Sequence, residues 1–91
     1  MSAPQLSVVV PVHNERDNLA PLLAEIAASL RGQMVWEAVF VDDRSSDDSL
    51  EVLQALKGRH PELRVLALQR PSGQSRAVHS GVKAARAAWV A

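Results

Sequence analysis

The apolar run WEAVFV stops at two adjacent aspartates, Asp42 and Asp43. A turn needs one Asp or Asn. A second carboxylate beside it asks for a partner that is positive or rich in hydrogen-bond donors. Two other stretches carry residues of matching chemistry. PVHNERDN presents His13, Asn14 and Glu15, and QRPSGQSR presents Gly73, Gln74, Ser75 and Arg76 in succession. Glu15, Asp42 and Asp43 can accept hydrogen bonds from ribose hydroxyls or a base N–H. Gly73 allows close backbone approach, and the polar residues and arginine after it stand at a helix start, which makes a seat for phosphate. The three stretches together point to a nucleotide, with its nucleoside on the acids and its phosphates at Gly73–Arg76.

Each residue also has a plainer reading. Asn14 with Asp17 fits a helix cap as well as a ligand contact, and Ser45 with Asp48 matches a capping box. Asp42 is readily explained as a turn-former, whereas Asp43 beside it is harder to explain that way. Gly73 also suits a tight turn, and Arg76 a solvated surface. His13, His60 and His79 lack the spacing of a zinc site. Met34, Trp36 and Trp89 read as core.

The elements that must position these residues alternate. LSVVVPV (Leu6 to Val12) is a continuous β-branched run of the kind buried on both faces of a parallel sheet, with Pro11 expected to end its ladder. Leu19, Leu22, Leu23, Ile26, Ala27 and Leu30 recur at helical spacing, and Gly32 follows them. VWEAVFV (Val35 to Val41) reads as a second strand. A helix with Leu50, Leu53 and Leu56 comes next, stopped by Gly58 and Pro61. LRVLAL (Leu63 to Leu68) reads as a third strand, and a third helix is expected to turn Val78, Val82 and Ala85 inward. AAWVA looks like the opening of a fourth strand, interrupted at Ala91. This pattern predicts βαβ units, a mostly parallel sheet with helices on both faces, and ligand-binding loops at the carboxyl ends of the strands.

Composition narrows the function classes. The 91 residues are 47% hydrophobic, enough for one small core. A chain of this length buries only roughly 60–65% of its unfolded surface, which makes the domain marginal or a piece of a larger one. Ten basic residues balance ten acidic ones, which leaves no electrostatic footprint for nucleic acid. Cysteine is absent, which excludes disulfides and thiolate chemistry. No apolar run reaches the roughly 18–20 residues of a membrane span, and the N-terminus lacks the pattern of a signal peptide, so a cytoplasmic location is expected.

With these motifs in order, the sequence resembles family 2 glycosyltransferases of the GT-A fold. It is most similar to the polyprenyl-phosphate group that includes dolichol-phosphate mannosyltransferase-like enzymes. The resemblance rests on VVVPVHNERDNLAPLLAEI, VFVDDRSSDDSLEVL and GQSRAVHSGVKAARAAWV. It implies that residues 1–91 form the N-terminal, nucleotide-binding part of such a domain, a Rossmann-like three-layer αβα half truncated at the fourth strand. By position, Pro11, His13 and Glu15 would meet the nucleoside. Val41 and Asp43 would meet base and ribose with Asp42 as neighbour, and Gly73, Gln74 and Ser75 would lie near the nucleotide. No catalytic residue and no metal ligand is assigned within the chain. The family's DxD motif, which binds Mg2+ or Mn2+ and the donor diphosphate, would lie beyond Ala91.

The resemblance implies inverting transfer of a sugar from a UDP- or GDP-sugar to a polyprenyl or dolichyl phosphate, in cell-envelope metabolism at the cytoplasmic face of a membrane. Membrane attachment would come through further C-terminal parts. The chain alone is expected to be inactive, with a dimer through its open sheet edge as a further expectation. Arg44 and Ala87 stand where the family usually has glycine, Pro71 where asparagine is common, and His13 where tyrosine is common. A phospho-receiver domain is a poor alternative, because paired acids would have to follow the first strand. A metal-dependent nucleotide hydrolase lacks a base, and a non-catalytic nucleotide-binding or self-associating module remains the rival.

Overall fold

The computed structural model describes residues 4–68, 73–87 and 89–90, with the side chains of residues 73–75 and 89 outside that description. Four strands, β1 (Leu6–Val12), β2 (Trp36–Asp42), β3 (Leu63–Ala67) and β4 (Trp89–Val90), alternate with helices α1 (Arg16–Leu30), α2 (Ser49–Lys57) and α3 (Gly73–Ala84). The sheet order is β3-β2-β1-β4, and every pair is parallel. The chain steps from β1 outward to β3, and α3 carries it back across to the far side of β1. The strand order therefore reverses at β1, the position where open α/β sheets take ligands at their carboxyl ends.

All seven residues of β2 are buried, and their alternation builds two cores. Trp36, Ala38 and Phe40 pack with Leu19, Leu23 and Ala27 of α1 and Leu53 and Leu56 of α2. Val39 and Val41 face the other way, against Ala77 of α3, with Val9 and Leu66 alongside. This places α1 and α2 on one face and α3 on the other, the expected three layers. Trp36 is buried as expected, whereas Met34 is 41% exposed, because it lies in the connection before β2.

Pro11 does not end β1. It pairs in register with Val41, and the strand runs on to Val12. The Asp43 N–H donates to the Val12 carbonyl at 2.8 Å, so Val12 turns its polar groups to β2, and by strand alternation Pro11 turns its own side away. The missing N–H costs β2 no ladder bond.

The expected inward face of α3 is also corrected. Val78 and Val82 stay 36% and 44% exposed, Ala77 and Gly81 face the sheet, and the helix ends before Ala85. A Cβ at Gly81 would overlap the Val9 side chain and approach Val41 to 3.0 Å. The helix lies so close to β1 and β2 that only small residues fit between them, and the valines turn outward.

A carboxylate locks the opposite end of the sheet. Glu37 is 1% exposed and accepts from the Ser7 hydroxyl, the Arg86 N–H (2.7 Å), Arg86 Nε (3.0 Å) and Arg64 Nη1 (3.1 Å). Arg64 also donates to the Ala84 carbonyl, and the Ala87 N–H donates to Ser7 Oγ. Burial alone would push the Glu37 carboxyl up. The Arg86 N–H, the Ser7 hydroxyl and the two guanidiniums outweigh it and hold the group at about 2. The α3–β4 connection is thereby tied to β1, β2 and β3.

Candidate functional site

The loops after β1 and β2 meet at the carboxyl end of the sheet. Asp43 extends the ladder by one bond, and its backbone is met from the first loop by His13, whose Nδ1 lies 2.8 Å from the Asp43 carbonyl oxygen. A carbonyl only accepts, so Nδ1 carries the proton, and Nε2 of the exposed ring is left as the acceptor of the neutral imidazole. Glu15 Oε1 accepts from the His13 N–H at 3.3 Å. His13, Glu15 and Asp43 thus stand together at the ends of two adjacent strands.

Asn14 is not the helix cap that its spacing suggests. Glu15 occupies that position without a side-chain cap bond, and Asn14 has φ 53°, a left-handed conformation that asparagine tolerates. Its Oδ1 accepts from the Ser46 N–H at 2.7 Å and the Asp47 N–H at 3.2 Å, across to the second loop. Its own N–H donates to Ser45 Oγ at 2.9 Å. The capping box expected of Ser45 and Asp48 is likewise absent. Ser45 Oγ donates to Asp42 Oδ1 at 2.6 Å, and the Ser45 N–H reaches Asp42 Oδ2 at 3.3 Å. Asp42, 3% exposed, is therefore the turn-former of the pair.

Behind these residues, the Glu15 N–H donates to Ser49 Oγ at 3.0 Å, and both the hydroxyl and the N–H of Ser49 donate to Asp47 Oδ1. The Ser49 hydroxyl holds the Asp47 carboxyl below the usual carboxylate range. Arg16 Nη1 pairs with Asp48 Oδ1 at 3.1 Å, between two half-exposed side chains. Arg44 adopts φ 48°, so the turn takes the left-handed region that favours glycine.

Val41 is fully buried on the α3 side, so its side chain serves packing and register. The Leu68 N–H donates to the Asp42 carbonyl at 2.9 Å, so the third connection also begins at this end. Residues 69–72 and the side chains of Gly73, Gln74 and Ser75 lie outside the described residues, and Arg76 is exposed on α3. A groove of about 420 Å³ opens beside the β2 end, lined by Asp42, Arg44, Ser45, Asp47 and Leu68 among others. Among the described residues, no group of three His, Asp or Glu side chains converges to hold a metal ion. At this end Glu15 and the His13 ring are exposed acceptors, which suit hydroxyls and base N–H groups, while Asp43 beside them is 7% exposed.

Spacing alone missed two features. Asn14 and Ser49 bridge the loops, and Glu37 anchors the far end. The one signal for Glu37 was a charge inside a strand buried on both faces, a position that demands partners without naming them.

The family described as Glycosyl transferase family 2 matches residues 7–91. A dodecaprenyl-phosphate galacturonate synthase of Rhizobium johnstonii is 37% identical over 89 residues, covering 96% of this chain and 26% of the relative. A dolichol-phosphate mannosyltransferase of Pyrococcus furiosus is 38% identical over 81 residues, covering 89% of this chain and 22% of the relative. Among solved structures, S. aureus TarS 1–349 in complex with UDP superposes with a TM-score of 0.79 at 27% identity, covering 94% of this chain and 25% of that one. The chain spans about a quarter of the length of the relatives it matches.

Proposed function

The chain belongs to glycosyl transferase family 2, and from that premise we propose that it supplies the nucleoside-binding half of an enzyme that glycosylates a lipid phosphate. The donor is a UDP- or GDP-sugar and the acceptor a polyprenyl or dolichyl phosphate. An acceptor phosphate oxygen attacks the anomeric carbon, the bond from that carbon to the diphosphate breaks, and the nucleoside diphosphate leaves with inversion. The acceptor is already anionic at neutral pH, so the reaction needs no strong general base. The observation that carries the reading is the convergence of His13, Glu15 and Asp43 at the reversal of strand order, on a chain similar to polyprenyl-phosphate sugar transferases.

In this reading residues 1–91 are the N-terminal part of the family domain. His13 and Glu15 face the nucleoside, with Pro11 behind them. Asp43 reads base or ribose, supported by Val41 and Asp42. Gly73, Gln74, Ser75 and Arg76 seat the phosphates. Mg2+ or Mn2+ would neutralise charge on the leaving diphosphate. Among the described residues no group of three His, Asp or Glu side chains gathers to hold it. The lipid acceptor puts the reaction at the cytoplasmic face of a membrane, although no helix among the described residues is long and apolar enough to cross one.

The test is a transfer assay on the parent polypeptide with labelled UDP- and GDP-sugars and a polyprenyl phosphate. Lipid-linked sugar of inverted configuration is expected, and its absence with every donor would overturn the reading. The 91-residue chain alone should give no product, and turnover by it would contradict the assignment of half a site.

A further inference from the structure

Three consecutive residues of the first loop each bond to the second. His13 Nδ1 donates to the Asp43 carbonyl, the Asn14 N–H to Ser45 Oγ, and the Glu15 N–H to Ser49 Oγ. Asn14 adds a side-chain oxygen that accepts from the Ser46 N–H, the Asp47 N–H and, at 3.3 Å, Ser46 Oγ. An amide oxygen has two lone pairs, and the two backbone N–H groups occupy them, with Ser46 Oγ a longer third contact. We infer that Asn14 is a positioning residue for the nucleoside site: it clasps the second loop to the first and so keeps His13 against Asp43, without contacting the nucleotide itself.

The clasp runs in both directions from Asn14. Through its N–H it reaches Ser45, whose hydroxyl passes the link to the buried carboxylate of Asp42, the neighbour of Asp43. Through Oδ1 it fixes the backbone of Ser46 and Asp47, and Asp47 in turn accepts from Ser49. The left-handed φ of 53° accompanies both connections. Loss of the oxygen releases residues 46 and 47, and with them the turn that presents the Asp43 carbonyl to His13. This role rests on the proposed function only where it concerns nucleotide.

Asn14→Gly tests the idea, because glycine keeps the left-handed backbone and removes the oxygen. Amide exchange at Ser46 and Asp47 should quicken roughly ten-fold, the loss expected when a hydrogen bond worth about 1.4 kcal/mol is broken. At a pH where the imidazole is neutral, the His13 ring nitrogens should move from one tautomer toward an average. Affinity for UDP or GDP should fall by roughly ten-fold. Asn14→Asp keeps an acceptor and tolerance of positive φ and loses only the amide donor 3.5 Å from His13 Nε2, so it should preserve exchange protection at Ser46 and Asp47.

Unchanged exchange or an unchanged ring signature in Asn14→Gly would overturn the clasp. Loss of both with undiminished nucleotide affinity would overturn its positioning role. If the wild-type chain binds neither nucleotide, the proposed function falls, and the clasp is still decided by exchange and the ring nitrogens.

Discussion

His13 Nδ1 stands 2.8 Å from the carbonyl oxygen of Asp43, thirty residues away, and joins the ends of two parallel strands. The bond orients the imidazole, whose Nε2 lies 3.5 Å from Asn14 Nδ2. His13→Ala removes it and the acceptor together. Affinity of the chain for its preferred nucleoside diphosphate should fall about five-fold, the worth of one hydrogen bond of about 1 kcal/mol. Calorimetric titration measures this, and His13→Phe should fall equally if the acceptor nitrogen and not ring area is what binds.

The turn at Arg44 should gain from glycine. Its φ of 48° costs a side chain on the order of 1 kcal/mol, partly offset by the greater freedom of glycine in the unfolded chain. Arg44→Gly is expected to stabilise the chain by about 0.5 kcal/mol in urea denaturation. A loss of stability would mean that contacts of the Arg44 side chain outweigh the strain.

Gly81 and Val82 should respond in the opposite order from their hydrophobicity. Gly81→Ala places a methyl group into Val9, and should cost about 1–3 kcal/mol by overpacking. Val82→Thr changes a side chain already 44% exposed, and should shift stability by less than about 0.5 kcal/mol. Denaturation midpoints of the two variants decide which face of α3 meets the sheet.

That face marks where sequence reading runs out. β1 is legible to the residue because an unbroken β-branched run has one interpretation, and β2 and β3 differ from expectation by one residue at their ends. For α3 the sequence offers both a valine face and an alanine–glycine face, and the choice depends on how closely the helix approaches Val9, a long-range distance. Asn14 was ambiguous for a similar reason. The donors its side chain accepts lie 32 and 33 residues away, so local spacing suggested a cap where the fold makes a bridge. Asp42 and Asp43, by contrast, were separable in sequence into turn-former and unexplained partner, and the structure gives Asp42 the turn.

Acid should reveal Glu37. Its carboxyl sits at about 2 when folded, against an ordinary value of 4.5, so the folded chain binds this proton less readily than the unfolded one. The stabilisation is present in full above the unfolded value and is lost as pH falls from about 4.5 toward 2, on the order of 3 kcal/mol in all. Glu37→Gln should flatten stability against pH across that window and lower it at neutral pH. A variant with the wild-type acid profile would show that other carboxylates dominate.

In the proposed function the ends of β1 and β2 read a nucleoside. The most direct measurement follows backbone amide shifts of the 15N-labelled chain during titration with UDP, GDP and ADP, with and without Mg2+. Saturable shifts confined to the neighbourhoods of His13–Glu15, Asp43 and Gly73, with one base preferred, are the expected result. A well-dispersed spectrum that answers to none of the three, or that shifts mainly at the Glu37 end of the sheet, would contradict it.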